Sequence, residues 1–211
     1  MAASDFNVNK FKASLKHGGA RPSLFKVIFD YPSGIPEPPI KASFLVRATT
    51  IPASTIGSYD VYYHGKTIKV AGDRTFDTWD TTIFNDEDFG IRNTLENWMG
   101  SISDHKLNTR NKKTFSSMSE GDTAKYKSTL QVQQFGKAGT NLRTYIFKGA
   151  WPSALSTINL DWSTASEIEE FTCTWVYDSW FVSGGSTDPA NLSADNVVNA
   201  PSTNTDSGTI S

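Results

Sequence analysis

The residues of this chain that could do chemistry are three histidines, one cysteine, a lysine beside a glycine and two short acidic runs. His17 lies in a polar N-terminal segment, His64 beside Gly65, and His105 at the edge of a polar loop. No pair has the spacing of a metal site, and Cys173 has no second thiol to join it. The GKT at 65–67 has the ending of a phosphate-binding loop, but that motif needs a glycine at position 60, which is Asp60. A hairpin turn explains Gly65 and Lys66 better. NDED at 85–88 has oxygens enough for a hard cation, yet those types at that place also begin a helix. EIEE at 167–170 could pair carboxylates for acid–base work, but nothing nearby supplies a partner, so it reads as a solvated strand edge. Cys173 stands in register with Phe171 and Trp175 and reads as a core thiol. No catalytic constellation and no cofactor motif remains.

The elements around these residues are mostly strands. Residues 24–31 alternate, with Phe25, Val27, Phe29 and Tyr31 on one side. Four prolines make 32–40 a loop, 41–48 resumes as a strand, and 49–57 is an extended connector in which Pro52 keeps Ile51 out of the helical region. Residues 61–63 and 68–70 flank the His64-Gly65 turn. Residues 76–84 form the next strand. Ile91, Leu95, Trp98, Met99 and Ile102 then make one apolar stripe, predicting a helix over about 86–102, capped by Asn85 or Asp86 with Glu87 and Asp88 in its first turn. Strands follow over 125–135 and 142–151, the second ended by Pro152, with a turn at 136–139 between them. Residues 153–168 look irregular around LDW at 160–162. A final strand over 169–182 sets Phe171, Cys173, Trp175 and Tyr177 on one face.

Of the six tryptophans, Trp79, Trp98 and Trp175 read as core, while Trp151, Trp162 and Trp180 could be core or surface. Residues 1–20 read as a polar arm, 21–182 as one β-domain, and 183–211, rich in Ser, Thr and Asn and lacking any aromatic residue, as an appended tail. The polar, basic stretch 103–124 is a long loop expected, like the arm, to order on assembly. Together these give a mainly β fold, a two-sheet antiparallel sandwich or barrel with one flanking helix.

Composition excludes several classes. A 211-residue chain with 37% hydrophobic and 12% aromatic residues can bury one core. No stretch approaches the roughly 20 apolar residues of a membrane span, and the first residues lack the apolar run of a secretory signal. Asn191-Leu192-Ser193 therefore carries little weight as a glycosylation acceptor, and a single cysteine fits synthesis in a reducing cytosol. The net charge of −2 hides blocks of alternating sign: +4 over 1–50, +1 over 51–75, −6 over 76–104, +7 over 105–148 and −8 over 149–211. Such blocks suit either solvated faces or a protein that meets copies of itself through surfaces of opposite sign.

The sequence resembles the tail tube proteins of contractile-tailed bacteriophages. The resemblance runs through RPSLFKVIF (21–29), ATTIP (48–52), AGDRTFDTW (71–79), NDED with the helix to Trp98, EGDTAKYK and LQVQQFGKAG, KGAWPSAL (148–155), LDW (160–162) and FTCTWVYDSW (171–180). Its most specific piece gives Gly72, Asp73, Arg74, Phe76, Trp79 and Trp98 a structural role. The PEPP loop at 36–39 and the tail after 181 depart from the family pattern.

The resemblance implies a structural virion protein and no enzyme, cofactor or metal. It implies hexameric rings, their sheets joined into a continuous barrel and stacked into a tube that conducts DNA without gripping it. Its partners would be further copies of itself, a tail sheath around it, and baseplate and terminator proteins at the ends, assembled in the host cytoplasm. A hairpin over about 57–72 would reach the neighbouring ring, with Ile51, Pro52, Tyr59, Tyr62, Tyr63, Gly65 and Lys66 as contact residues. Glu87, Asp88 and Glu96 are candidate sheath-facing acids. Two alternatives share some of these features: the tube of a phage-derived bacteriocin or secretion device, which has the same fold, and a carbohydrate-binding β-sandwich suggested by the tryptophans.

Overall fold

A computed structural model of the chain describes residues 7–15, 19–104, 106, 125–163 and 166–183. Among these described residues, nine strands and three helices follow in the order α1 (Val8–Ser14), β1 (Phe25–Phe29), α2 (Ala42–Leu45), β2 (Val46–Thr49), β3 (Ser54–Tyr63), β4 (Lys66–Phe76), β5 (Trp79–Phe84), α3 (Gly90–Ile102), β6 (Ser128–Phe135), β7 (Asn141–Leu155), β8 (Glu170–Val176) and β9 (Ser179–Val182).

Two antiparallel sheets share β7. Its first part lies between β6 and β9, and β6 continues to β1; its last part pairs with β8, which leads to β5 and then β2. The strand turns from one sheet into the other at Gly149, whose φ of +67° is open to glycine and strained for other residues. The chain opposite breaks at the same place, between β8 and β9, where Asp178 donates its backbone N–H to the Lys148 carbonyl. The expected fold class therefore holds: a mainly β, two-sheet antiparallel fold with few helices, α3 being the longest.

The core is aromatic. Trp79 stacks on Phe147 at 4.3 Å, Phe29 lies 5.0 Å from Trp175, and Trp98 of α3 meets Trp175 edge-on at 5.7 Å. Each fully buried indole removes on the order of 200 Å² from water, an upper bound of about 5 kcal/mol at 25 cal/mol per Å². Burial would be costly if the indole N–H groups went unpaired. None of these three does: Trp79 donates to Thr49 Oγ1 (2.7 Å), Trp98 to the Tyr126 carbonyl (2.7 Å) and Trp175 to Thr81 Oγ1 (2.9 Å). Ile91, Leu95 and Trp98 are the buried face of α3, with Met99 and Ile102 at its margin, as the apolar stripe predicts. Phe171, Cys173, Trp175 and Tyr177 are all buried. Trp151 and Trp180 pack against the core, whereas Trp162 is fully exposed.

Several expectations about elements need correction. The helix starts at Gly90, not near residue 86, because Phe89 is left-handed (φ +52°) and 86–89 form a turn closed by Phe89 N–H to the Asp86 carbonyl. Glu87 and Asp88 thus precede the helix, and its first turn holds no acid; Asp86 still serves its start, accepting the Gly90 N–H at 3.0 Å. Residues 42–45 are a short helix that tucks Ala42 into the core, so only 46–49 are strand. The connector at 49–57 becomes β3 from Ser54 onward. Asp77 and Thr78 separate β4 from β5.

Pro152 does not end β7, which continues to Leu155; there β7 is an edge strand paired only with β8, so the missing N–H removes no ladder bond. Within the N-terminal arm, Val8–Ser14 form an exposed helix capped by the Asn7 side chain. Nearly all of the 103–124 loop and all of the tail beyond Ser183 lie outside the described residues.

Candidate assembly interface

Among the described residues the β3–β4 hairpin pairs only with itself, as a sheet separate from the other two. Its tip is a two-residue turn in which His64 (φ +44°) and Gly65 (φ +75°) both take positive φ, the geometry that continues the right-handed twist of the strands. Tyr59 opposes Val70, Val61 opposes Ile68 and Tyr63 opposes Lys66, so one face is a strip of tyrosine and aliphatic side chains. Asp60 opposite Lys69 (3.0 Å) and Tyr62 opposite Thr67 form the other face. Tyr59, Tyr62, Tyr63, Val61 and Ile68 are all exposed. A sheet of two strands with no core of its own is marginal alone, and exposed aromatic residues in such a place point to a partner.

The root of the hairpin is firm. The register shifts where Gly57 faces Gly72 and Asp73, and a Cβ on Gly72 would lie 3.3 Å from the Gly57 carbonyl oxygen. Arg74 pairs with Ile56, and Phe76 packs toward Tyr177 at 6.1 Å. The Tyr177 hydroxyl donates to the Asp77 carbonyl just beyond. Burial, reinforced by the Asp77 charge, pushes its phenol up to about 12. Pro52 is buried beside this root, while Ile51 is exposed. Trp79 and Trp98 belong to the core, not to any surface.

The three candidate sheath-facing acids are exposed. Glu87 and Asp88 occupy the turn before α3, and Glu96 lies on the helix, where it accepts a hydrogen bond from Arg92 Nε at 2.9 Å. Elsewhere the chemistry is quiet. Burial drives the Cys173 thiol far up, with the Asp80 charge adding to it, so it is not a nucleophile at neutral pH. Among the described residues no three His, Cys, Asp or Glu side chains are grouped as a metal site. No described helix is long and apolar enough to cross a membrane.

One surface was not anticipated. Residues 156–162 and 167–172 enclose an open groove of about 790 Å³. Leu160, Trp162 and Ile168 line it while exposed at 85%, 104% and 68%. Asp161 and Glu167 add charge, and hydrogen bonds from the Ser163 backbone and hydroxyl hold the Asp161 carboxyl below its ordinary range. The exposed Trp162 was legible only as an ambiguous tryptophan in an irregular stretch.

A family comparison decides what such a molecule is: residues 5–183 match the phage tail tube protein family. The chain belongs to that family. Tail tube protein gp19 of Enterobacteria phage T4 is 33% identical over 162 residues, 76% of this chain and 90% of that protein. A tail tube protein of Serratia phage KSP90 is 24% identical over 170 residues, 79% of this chain and 91% of its own. The fold of this tail tube protein is also similar to chains in two solved structures. One is from the anti-feeding prophage baseplate (TM-score 0.56, 9% identity, 77% of this chain and 94% of that one). The other is from the anti-feeding prophage tube-terminating cap (TM-score 0.53, 15% identity, 77% and 89%). The resemblance to tubes of contractile-tailed phages thus holds, and the carbohydrate-binding alternative gives way to it. This tail tube protein is a structural component of a phage tail.

Proposed function

We propose that six copies of this tail tube protein close into a ring, and that rings stack into the inner tube through which DNA leaves the virion. The observation that carries this reading is the β3–β4 hairpin, a long, apolar-faced element that is anchored at its root through Phe76 and beyond that pairs with no other described strand. Sheet edges that would invite uncontrolled pairing become subunit junctions when copies close on one another. Tyr59, Tyr62, Tyr63, Gly65 and Lys66 reach the next ring, with Ile51 and Pro52 at the base. A lumen of acidic and neutral polar side chains lets phosphates pass ungripped, unlike a basic stripe. A contractile sheath surrounds the tube, with Glu87, Asp88 and Glu96 setting its register by charge, and baseplate and terminator proteins bind the ends. Assembly takes place in the bacterial cytoplasm, with the arm and the 103–124 loop ordering as copies meet.

Electron microscopy of purified protein tests the stacking. The parent chain is expected to form long hollow rods. Replacing residues 61–68 by a two-residue turn should leave rings or monomers with an unchanged melting temperature and no rods. Rods of normal length from that variant would refute the role given to the hairpin. Sheath assembly around preformed tubes that is unaffected by reversing Glu87, Asp88 and Glu96 would refute theirs.

A further inference from the structure

The geometry points to the groove around Trp162 as the seat for the hairpin tip of a second copy of this chain, in the next ring. This rests on the stacked-ring reading and names the receiving surface that reading lacks.

The first support is placement. The hairpin is rooted at the end of the second sheet where β2 finishes at Thr49, β5 begins at Trp79 and β8 finishes at Val176. The groove opens at the other end of the same sheet, where β7 finishes at Leu155, β8 begins at Glu170 and β5 finishes at Phe84. The six residues of β5 separate the two ends by roughly 20 Å, and the hairpin's ten-residue strand β3 is itself roughly 34 Å long at about 3.4 Å per residue. A projection at one end and a concavity at the other are what head-to-tail addition requires. Such heterologous contacts propagate indefinitely along one axis.

The second support is chemistry. The hairpin tip presents Tyr62, Tyr63 and an exposed Lys66, which among the described residues has no carboxylate partner such as Lys69 has in Asp60. The groove presents Trp162, Leu160 and Ile168 with Asp161 and Glu167, and residues 149–211 contain no lysine or arginine at all. Of the neighbouring acids, Glu169 accepts from the Asn85 side chain and Glu170 pairs with Arg47. Glu167 is left facing solvent. Aromatic and aliphatic side chains meeting with one opposed charge at the rim is the composition of a specific interface. Both surfaces are exposed in the single chain, so each gains only when copies meet.

Rod formation tests this by electron microscopy and sedimentation. Trp162→Ala and Glu167→Lys are expected to keep the parent melting temperature and to lose rods. Lys66→Glu should behave alike, and combining it with Glu167→Lys should restore rods. A mixture of His64→Cys and Asn159→Cys chains should form disulfide-linked dimers on mild oxidation, while neither variant does so alone. The native Cys173 is buried and adds no background. Full-length rods from both groove variants, when the shortened hairpin makes none, would overturn the groove as the seat yet leave the stacking hairpin intact. Normal tubes from the groove variants that fail only to recruit sheath would overturn it equally. Rods from the shortened hairpin as well would remove the stacking reading itself.

Discussion

At the scale of single residues the chain spends its polar chemistry on satisfying its own core. The hydroxyls of Thr49 and Thr81 are there to receive indole N–H groups, and Tyr177 ties the hairpin root to the sheet through the Asp77 carbonyl. The Tyr177 phenol has a definite pH signature. Its value is raised from 10.0 to about 12 in the folded state, so folding favours the protonated form. That contribution is complete below about pH 10 and is lost as the pH rises through 12. Urea unfolding between pH 9 and 12 should show a midpoint falling more steeply in the parent than in Tyr177→Phe, which has no proton to lose. Equal slopes would mean that this phenol is not held protonated by the fold. Tyr31, also raised by burial, makes the variant's own midpoint fall with pH as well, though less steeply.

At the scale of elements, β7 bears the largest share of the architecture, because it alone belongs to both sheets. Its turn at Gly149 combines a positive φ with a close neighbour: a Cβ there would sit 2.0 Å from Asp178 Oδ2. That carboxylate is itself fixed by Lys127 Nζ at 2.7 Å. Gly149→Ala should cost at least about 1–2 kcal/mol for the left-handed alanine alone, with the collision added. Thermal unfolding is expected to show a midpoint several degrees lower, whereas Gly139→Ala, also at positive φ but in open space, should cost only the backbone part. Equal losses in the two variants would show that the corner relaxes. Most strands and the stripe of α3 were readable from alternation and period. The left-handed Phe89 and the short helix at 42–45 were not, since each depends on packing from other parts of the chain.

At the scale of the whole molecule, one sealed core and two unsatisfied surfaces coexist. Cys173 sits at the centre of the core, fully buried and driven toward its thiol form. Its labelling by a thiol reagent at pH 8 should therefore follow global unfolding, and should be slower in rods than in free subunits because assembly stabilises the folded state by mass action. Rapid labelling of folded subunits would place the residue outside the core. The projecting part of the hairpin, residues 61–68, lies outside that core, so replacing it should leave labelling of free subunits unchanged.

The sequence by itself determined the alternating strands, the helical stripe, the aromatic core set, the hairpin turn at His64-Gly65 and the family. Each of these is written in local period or residue type, which a chain carries with it before folding. Tertiary structure decided that β7 serves two sheets, that Pro152 is harmless because it lies on an edge, and that the helix waits until Gly90. It also decided that Trp162 is bare, and that the hairpin and the acidic groove occupy opposite ends of one sheet. Exposure and placement are relations between distant segments, and no window of sequence contains them.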